Sequence, residues 1–374
     1  MKKAFLLLMM LPLLTGCWDR LPLRKLKIID IVGFDWDENK NESNLHFLIT
    51  KSISSGQGSN ELVSEDTVLK GPSVEEAIGQ GQVQVNAPFI GISTGVYVLS
   101  ETFAKKDAVA QLDFLLRAPY TSINTPMVIL EGDLNELFST LFTKKKGYTK
   151  EFNDYNIGLG KNSIIPNVSI MNFVQSKDEP LNDFGIPTLA IKEDRVIYTG
   201  AELFRNGKNT NVKLNDKQEQ MIMLLTGADK GRQRYVGHLP KSDKKRVPGS
   251  KTNYGFSVKK GTTKYIISSK YKGETKVDIH VKLNLLVYDL GVPFHQMKPK
   301  YVHKMEKKLS KELEKRALES IKIIQSANCD LLKIGERVKA FHPTIWKKID
   351  WRNEYPRMKI QPHFEVIILN ADNQ

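Results

Sequence analysis

The cleanest hydrophobic pattern in the chain lies in its last third. Val277, Ile279, Val281, Leu283, Leu285 and Val287 alternate with Asp278, His280, Lys282 and Asn284. A two-residue period sends successive side chains to opposite faces, so this stretch predicts a strand with one buried and one wet face. The period then changes. Met305, Leu309, Leu313, Ala317, Ile321 and Ile324 recur at helical spacing with lysines and glutamates between them, which predicts one long amphipathic helix with a solvated charged face. A second helix is expected over 330–341, stopping before Pro343, and 364–369 reads as a final strand. These elements define a C-terminal α+β domain over 253–374.

Upstream the elements are shorter. An apolar segment from Leu26 ends at Gly33-Phe34-Asp35-Trp36, and strands are predicted at 45–53, 92–99 and 127–130. The Ser/Gly/Asn tract at 54–60 reads as an exposed loop. Ser73-Val74-Glu75-Glu76 is a capping box that opens a helix weakened by Gly79 and Gly81. Val109, Leu112, Leu115 and Leu116 mark a helical face over 105–116, and Asp133 caps a helix through Leu141. The alternation predicts a mixed α/β N-terminal domain over 17–186, with a βαβ unit around a small sheet. The stretch 144–176 is polar and shows no clear period. Short strands at 189–191 and 196–198, a turn at Asn206-Gly207 and a short helix at 217–225 predict a small β-rich middle domain over 187–252. It ends in a basic tract, 239–252, with Pro240, Pro248 and Gly249. The expected fold class is therefore α+β with mixed α/β character. Three domains carry small mixed or antiparallel sheets packed with helices, the last with a long helix.

The extreme N-terminus follows a different logic. Lys2 and Lys3 precede an apolar run at 4–14, and Leu14-Thr15-Gly16-Cys17 follows it as a lipobox. A membrane span needs roughly 20 apolar residues, so the run reads as a cleaved signal peptide, 1–16, with the cut between Gly16 and Cys17. Cys17 would then carry a thioether-linked diacylglycerol. Each buried methylene contributes ~0.8 kcal/mol and one acyl chain anchors only marginally, whereas two hold firmly. The expected location is the outer side of a cell membrane, with membrane lipid as the first partner.

Composition narrows the rest. The 374 residues carry a formal charge of +14 at pH 7, which draws an exported, tethered body toward anionic lipid. Nucleic acid is not an expected partner, because no helix-turn-helix, zinc-finger or RNP-like pattern is present. With Cys17 used by the lipid, Cys329 has no disulfide partner and reads as a small buried hydrophobe. There is no H-E-x-x-H, Walker loop or G-x-G-x-x-G. Gly158-Leu159-Gly160-Lys161 is too short for a phosphate loop. The seven histidines are scattered without i,i+4 spacing, so no metal site is expected, and His280 reads as a surface residue. Asp35 and Asp37 flank Trp36 and read as solvated carboxylates. No catalysis and no cofactor are expected.

Several blocks carry a resemblance. They are Gly16-Cys17-Trp18-Asp19-Arg20, then Leu112-Asp113-Phe114-Leu115-Leu116-Arg117 followed by Met127-Val128-Ile129-Leu130. Near the C-terminus come Cys329-Asp330-Leu331-Leu332-Lys333-Ile334-Gly335-Glu336-Arg337, His342-Pro343-Thr344-Ile345-Trp346 and Trp351. Together they resemble the Ger(x)C family of spore germination lipoproteins, the C subunits of nutrient germinant receptors. The chain departs from that pattern at Leu21-Pro22-Leu23, at Pro187-Thr188-Leu189-Ala190-Ile191 and at Tyr198-Thr199-Gly200-Ala201-Glu202-Leu203. The resemblance implies three α/β-type domains, no known catalysis and assembly with two integral membrane receptor subunits. It also implies the spore inner membrane, with the body on its outer side. Trp18, Asp19, Gly335, Glu336 and Trp346 are then the expected partner or packing motif. Packing is favoured for the last three, Gly335 allowing close approach and Trp346 holding the last helix to the sheet. The expected function is a non-catalytic, lipid-anchored subunit that scaffolds or relays the germinant response. The alternative is a solute-binding lipoprotein serving a transporter, which the β-rich second half of the chain disfavours.

Overall fold

The computed structural model describes residues 27–54, 60–85, 89–90, 94–116, 122–161, 168–179, 181–227, 234–238, 253–269, 275–290 and 298–369. Gly16, Cys17, Trp18, Asp19, most of the 54–60 loop and the basic tract 239–252 lie outside them.

The described strands form two sheets. The first has nine strands: β1 (Lys27–Asp37), β2 (Glu42–Ser54), β3 (Asn60–Gly71), β4 (Phe89–Ile90), β5 (Val96–Ser100), β6 (Met127–Glu131), β7 (Phe184–Lys192), β8 (Arg195–Arg205) and β9 (Lys208–Asn215). Their order is β3-β2-β1-β5-β6-β7-β8-β9, with β4 beside β1. β1, β5, β6 and β7 run parallel, and antiparallel hairpins extend the sheet on both sides. Parallel strands need crossovers, and crossovers cover both faces. Every residue of β5 is accordingly buried. One face packs Phe34, Tyr97, Leu99 and Ile129 against α1 (Val74–Val85), the 101–116 segment and α3 (Ile170–Asp178). The other packs Ile31, Val98, Val128 and Leu189 against a π-helical segment (Glu136–Phe142) and α2 (Tyr148–Lys161).

The second sheet has four strands in the order β10 (Arg234–His238), β11 (Asn253–Ser269), β12 (Thr275–Asp289) and β13 (Lys359–Ile368). The alternation read from the sequence forms the body of β12, where the odd positions from Val277 to Val287 are buried. They pack against α5 (Pro299–Ser326), which buries Met305, Leu309, Leu313, Ala317, Ile321 and Ile324. β13 is an edge strand, and unpaired edge groups invite pairing with other chains. Here α5 guards that edge: Phe364 N–H donates to Glu314 Oε1 (3.1 Å) and Ile368 N–H to Glu306 Oε1 (2.9 Å).

Four expectations change. The segment 187–252 does not build a sheet of its own. β7, β8 and β9 extend the first sheet, α4 (Asp216–Thr226) lies between the sheets, and β10 joins the second. The polar stretch 144–176 holds most of α2 and α3, whose narrow apolar faces (Phe152 and Leu159; Ile170 and Phe173) are diluted by polar residues. The helix expected over 105–116 is broken, because the Asp107 side chain accepts from Ala110 N–H and starts a new turn. The helix expected over 330–341 begins only at Ile334, forming α6 (Ile334–Phe341), since Lys333 has left-handed backbone angles.

Gly200 sits at a bulge in β8 with φ +144°, and a Cβ there would collide with the Leu214 carbonyl. Gly200→Ala is expected to destabilise the fold by about 3 kcal/mol or more in urea unfolding, combining backbone strain with a clash. Gly158→Ala, inside α2 with open space around it, should stabilise it by about 1 kcal/mol.

Candidate functional site: a buried joint between the sheets

The C-terminal blocks noted in the sequence converge at one place. After α5 the chain turns at Ala327 and Asn328 and passes through Cys329 and Asp330, both fully buried. The Asp330 carboxylate accepts from the N–H groups of Ile334 (3.1 Å) and Gly335 (2.7 Å), which satisfies the first turn of α6. Burial pushes its carboxyl up to about 6, against the lowering effect of those two N–H groups. This side chain therefore holds the loop from which α6 starts.

A second aspartate reaches the same spot from the other sheet. Asp183 lies just before β7, is 1 % exposed, and accepts from Asp330 N–H through Oδ2 (2.7 Å). Arg352, in the short helix Trp351–Glu354, clamps Asp183 with both terminal nitrogens, Nη1 to Oδ2 at 2.7 Å and Nη2 to Oδ1 at 2.9 Å. Its Nη2 also donates to Asn206 Oδ1 (2.7 Å) in the β8–β9 turn, and Nη1 to Asn328 O (3.1 Å). Burial acts to lower the guanidinium, but the hydrogen bonds and charge of Asp183 outweigh it and leave it above its ordinary value. A planar fork meeting a carboxylate in this way fixes direction as well as distance. Lys333 Nζ adds a bond to Asn182 Oδ1 (3.0 Å).

Apolar packing closes around the polar centre. The Trp351 ring lies on Gly335, so close that a Cβ at Gly335 would sit 2.7 Å from Cε2. Trp346 is partly buried and stacks toward Trp351 with ring centroids 6.0 Å apart, and Trp351 meets the fully buried Tyr355 at 5.4 Å. Tyr355 donates its hydroxyl to Cys329 O (3.2 Å). The Cys329 thiol, raised by burial, points to Phe204 O in β8 at 3.4 Å. Of the residues named from the sequence, Gly335 and Trp346 thus meet through Trp351. Glu336 is exposed, pairing with Lys333 Nζ (3.1 Å), and Gly16, Cys17, Trp18 and Asp19 lie outside the described residues. Asp183 and Arg352 carry no motif, and Asn206 reads from the sequence only as part of a turn. Only the polar character of Asp183 just before an apolar strand could have marked it.

Two further polar features lie outside the joint. His280 and His363 are brought into register by β12 and β13 and stack at 4.8 Å on the open face of the second sheet, with His363 Nε2 2.9 Å from Asp278 Oδ1. Lys276, then His363, hold the Asp278 carboxyl below its usual range. Among the described residues no group of three or more His, Cys, Asp or Glu is placed to hold a metal ion. Glu219 in α4 is 3 % exposed, and neither of its carboxyl oxygens has a hydrogen-bond partner. Burial pushes it up to about 8.

Two expectations follow from this geometry. Asp183→Ala strands the Arg352 charge and should cost about 3–5 kcal/mol in urea unfolding. Adding Arg352→Met should recover part of that loss, and Glu336→Ala should stay within about 0.5 kcal/mol of the parent. Glu219 stays protonated in the folded chain between the ordinary carboxyl value of 4.5 and about 8, while the unfolded chain releases the proton. The folded state then binds more protons, so its stability falls as pH rises through that window and levels off above it. Glu219→Gln should remove this fall, raising the melting temperature at pH 8 more than at pH 5.

Comparison with known proteins places this architecture. A family model described as "Spore germination protein N-terminal domain" matches residues 19–191, and one described as "Spore germination B3/ GerAC like, C-terminal" matches 199–371. The chain is 22 % identical to the spore germination protein GerQC of Bacillus cereus, covering 99 % of each. It is 23 % identical to the spore germination protein KC of Bacillus subtilis (strain 168), covering 98 % of this chain and 94 % of the other. The crystal structure of the GerBC protein shares the fold with a TM-score of 0.58 at 16 % identity, over 91 % of this chain and 97 % of that one. Matched over nearly its whole length by both halves of one family, the chain belongs to the Ger(x)C family of spore germination proteins.

Proposed function

We propose that this chain is the lipid-anchored, non-catalytic C subunit of a spore nutrient germinant receptor. On this reading it is tethered through diacylglyceryl-Cys17 to the outer side of the spore inner membrane. It scaffolds two integral membrane subunits or relays the germinant response to them. The observation that carries the reading is the end-to-end match to spore germination proteins, family models covering 19–191 and 199–371 in order. The lipobox at Leu14-Thr15-Gly16-Cys17 supports the anchor. Among the described residues, no helix is long and apolar enough to cross a membrane. The joint supports a structural role for the signature residues, since Asp330 caps the first turn of α6 and donates its own N–H to Asp183, while Gly335 packs against Trp351.

Capture of the lipidated protein from spore membranes is expected to recover two multi-spanning partners. Deleting the gene should abolish or slow the response to at least one nutrient, and an unchanged response to every nutrient would remove the receptor role. Cys17→Ala should release the protein from the membrane fraction. Retention of that variant would count against the anchor alone.

A further inference from the structure

The charges on α5 are sorted by side. At 3.6 residues per turn, Lys300, Lys304, Lys307, Lys311, Lys315 and Lys322 fall within an arc of about 80° and run about 33 Å along the helix. All six are exposed. Met305, Leu309, Leu313 and Ala317 are buried on the opposite side. None of the four glutamates of the helix lies within the lysine arc. Glu306 and Glu314 turn toward β13 and accept its edge N–H groups, and Glu312 takes Arg316 Nε at 2.8 Å. Glu319 is exposed beside the stripe.

Opposite charges do meet at i,i+4 in this helix, at Lys308–Glu312, Glu312–Arg316 and Lys315–Glu319. Along the ridge itself, Lys300–Lys304, Lys307–Lys311 and Lys311–Lys315 put like charges at that spacing, which disfavours the helix. A straight ridge of one charge sign on a rigid support fits an extended anionic surface. We infer that the lysine ridge of α5 is the face this body lays on anionic phospholipid headgroups. The inference rests on the membrane-tethered reading above and adds to it which side of the molecule meets the bilayer. A tether sets only the distance to the bilayer, and the ridge sets orientation. Each lysine near an anionic leaflet contributes about five-fold in partition.

The test uses the full lipidated protein on vesicles of phosphatidylcholine and on vesicles with about 30 mol % phosphatidylglycerol. Flotation with the phosphatidylcholine vesicles reads the anchor. Amine labelling, located by peptide mass, reads the ridge. Lys307, Lys311 and Lys315 are expected to label about five-fold more slowly on the anionic vesicles, and about 1 M salt should erase the difference. Lys307→Glu, Lys311→Glu and Lys315→Glu together sit on a solvated face and should leave circular dichroism unchanged. They should also abolish the slower labelling of Lys300, Lys304 and Lys322. Equal labelling on the two vesicle types overturns the proposal. So does protection that arises only in spore membranes, which would assign the ridge to an acidic protein partner. If flotation on phosphatidylcholine fails, the anchor reading falls by itself. The ridge is then judged by binding to the anionic vesicles, where the triple reversal should weaken binding at least ten-fold and an unchanged affinity overturns it.

Discussion

Arg352 and Asp183 hold the two sheets of this protein in a single arrangement. A continuous apolar cluster already crosses between them, from Leu203 and Leu214 of the first sheet through α4 to the second. Apolar contact is non-directional, so it supplies adhesion without fixing an angle. The bidentate pair supplies the angle. Asp183 is sealed from solvent, and any slide of one sheet past the other would take away the Arg352 charge and leave its carboxylate with only the Asn206 N–H of its own sheet. Asp330 couples that pair to the start of α6, because one aspartate accepts the backbone N–H of the other.

The joint also explains why the C-terminal signature has its composition. Gly335 is the residue over which Trp351 can lie flat, and Trp346 and Tyr355 fix Trp351 from two sides. These residues enclose the polar centre and keep water from competing for it. On the proposed receptor role, such a joint makes the described body a stiff connector.

The same economy of charge appears on α5. Glu306 and Glu314 serve the edge of β13 and six of its lysines face out, so one helix both closes a sheet edge and presents a cationic ridge. The second sheet therefore offers two distinct surfaces. One is the α5 ridge, and the other is the open strand face that carries the His280–His363 stack.

Much of this was legible in the chain. The alternation over Val277–Val287 and the helical spacing from Met305 to Ile324 are local records of which face is buried, and both elements form as read. The ordered signature blocks identified the family before any fold was known. Local pattern could not show that the strands after Pro187 complete the first sheet, since strand partners are chosen by backbone pairing between segments far apart. Nor could it pair Asp183 with Arg352, or His280 with His363, because neither partner carries a mark of the other. The sequence by itself determined the types of its strongly periodic elements, the charge and the family, all properties of neighbouring residues or of order along the chain. Only the tertiary structure decided sheet membership and the buried joint, because contacts between distant residues exist only once the intervening chain has folded.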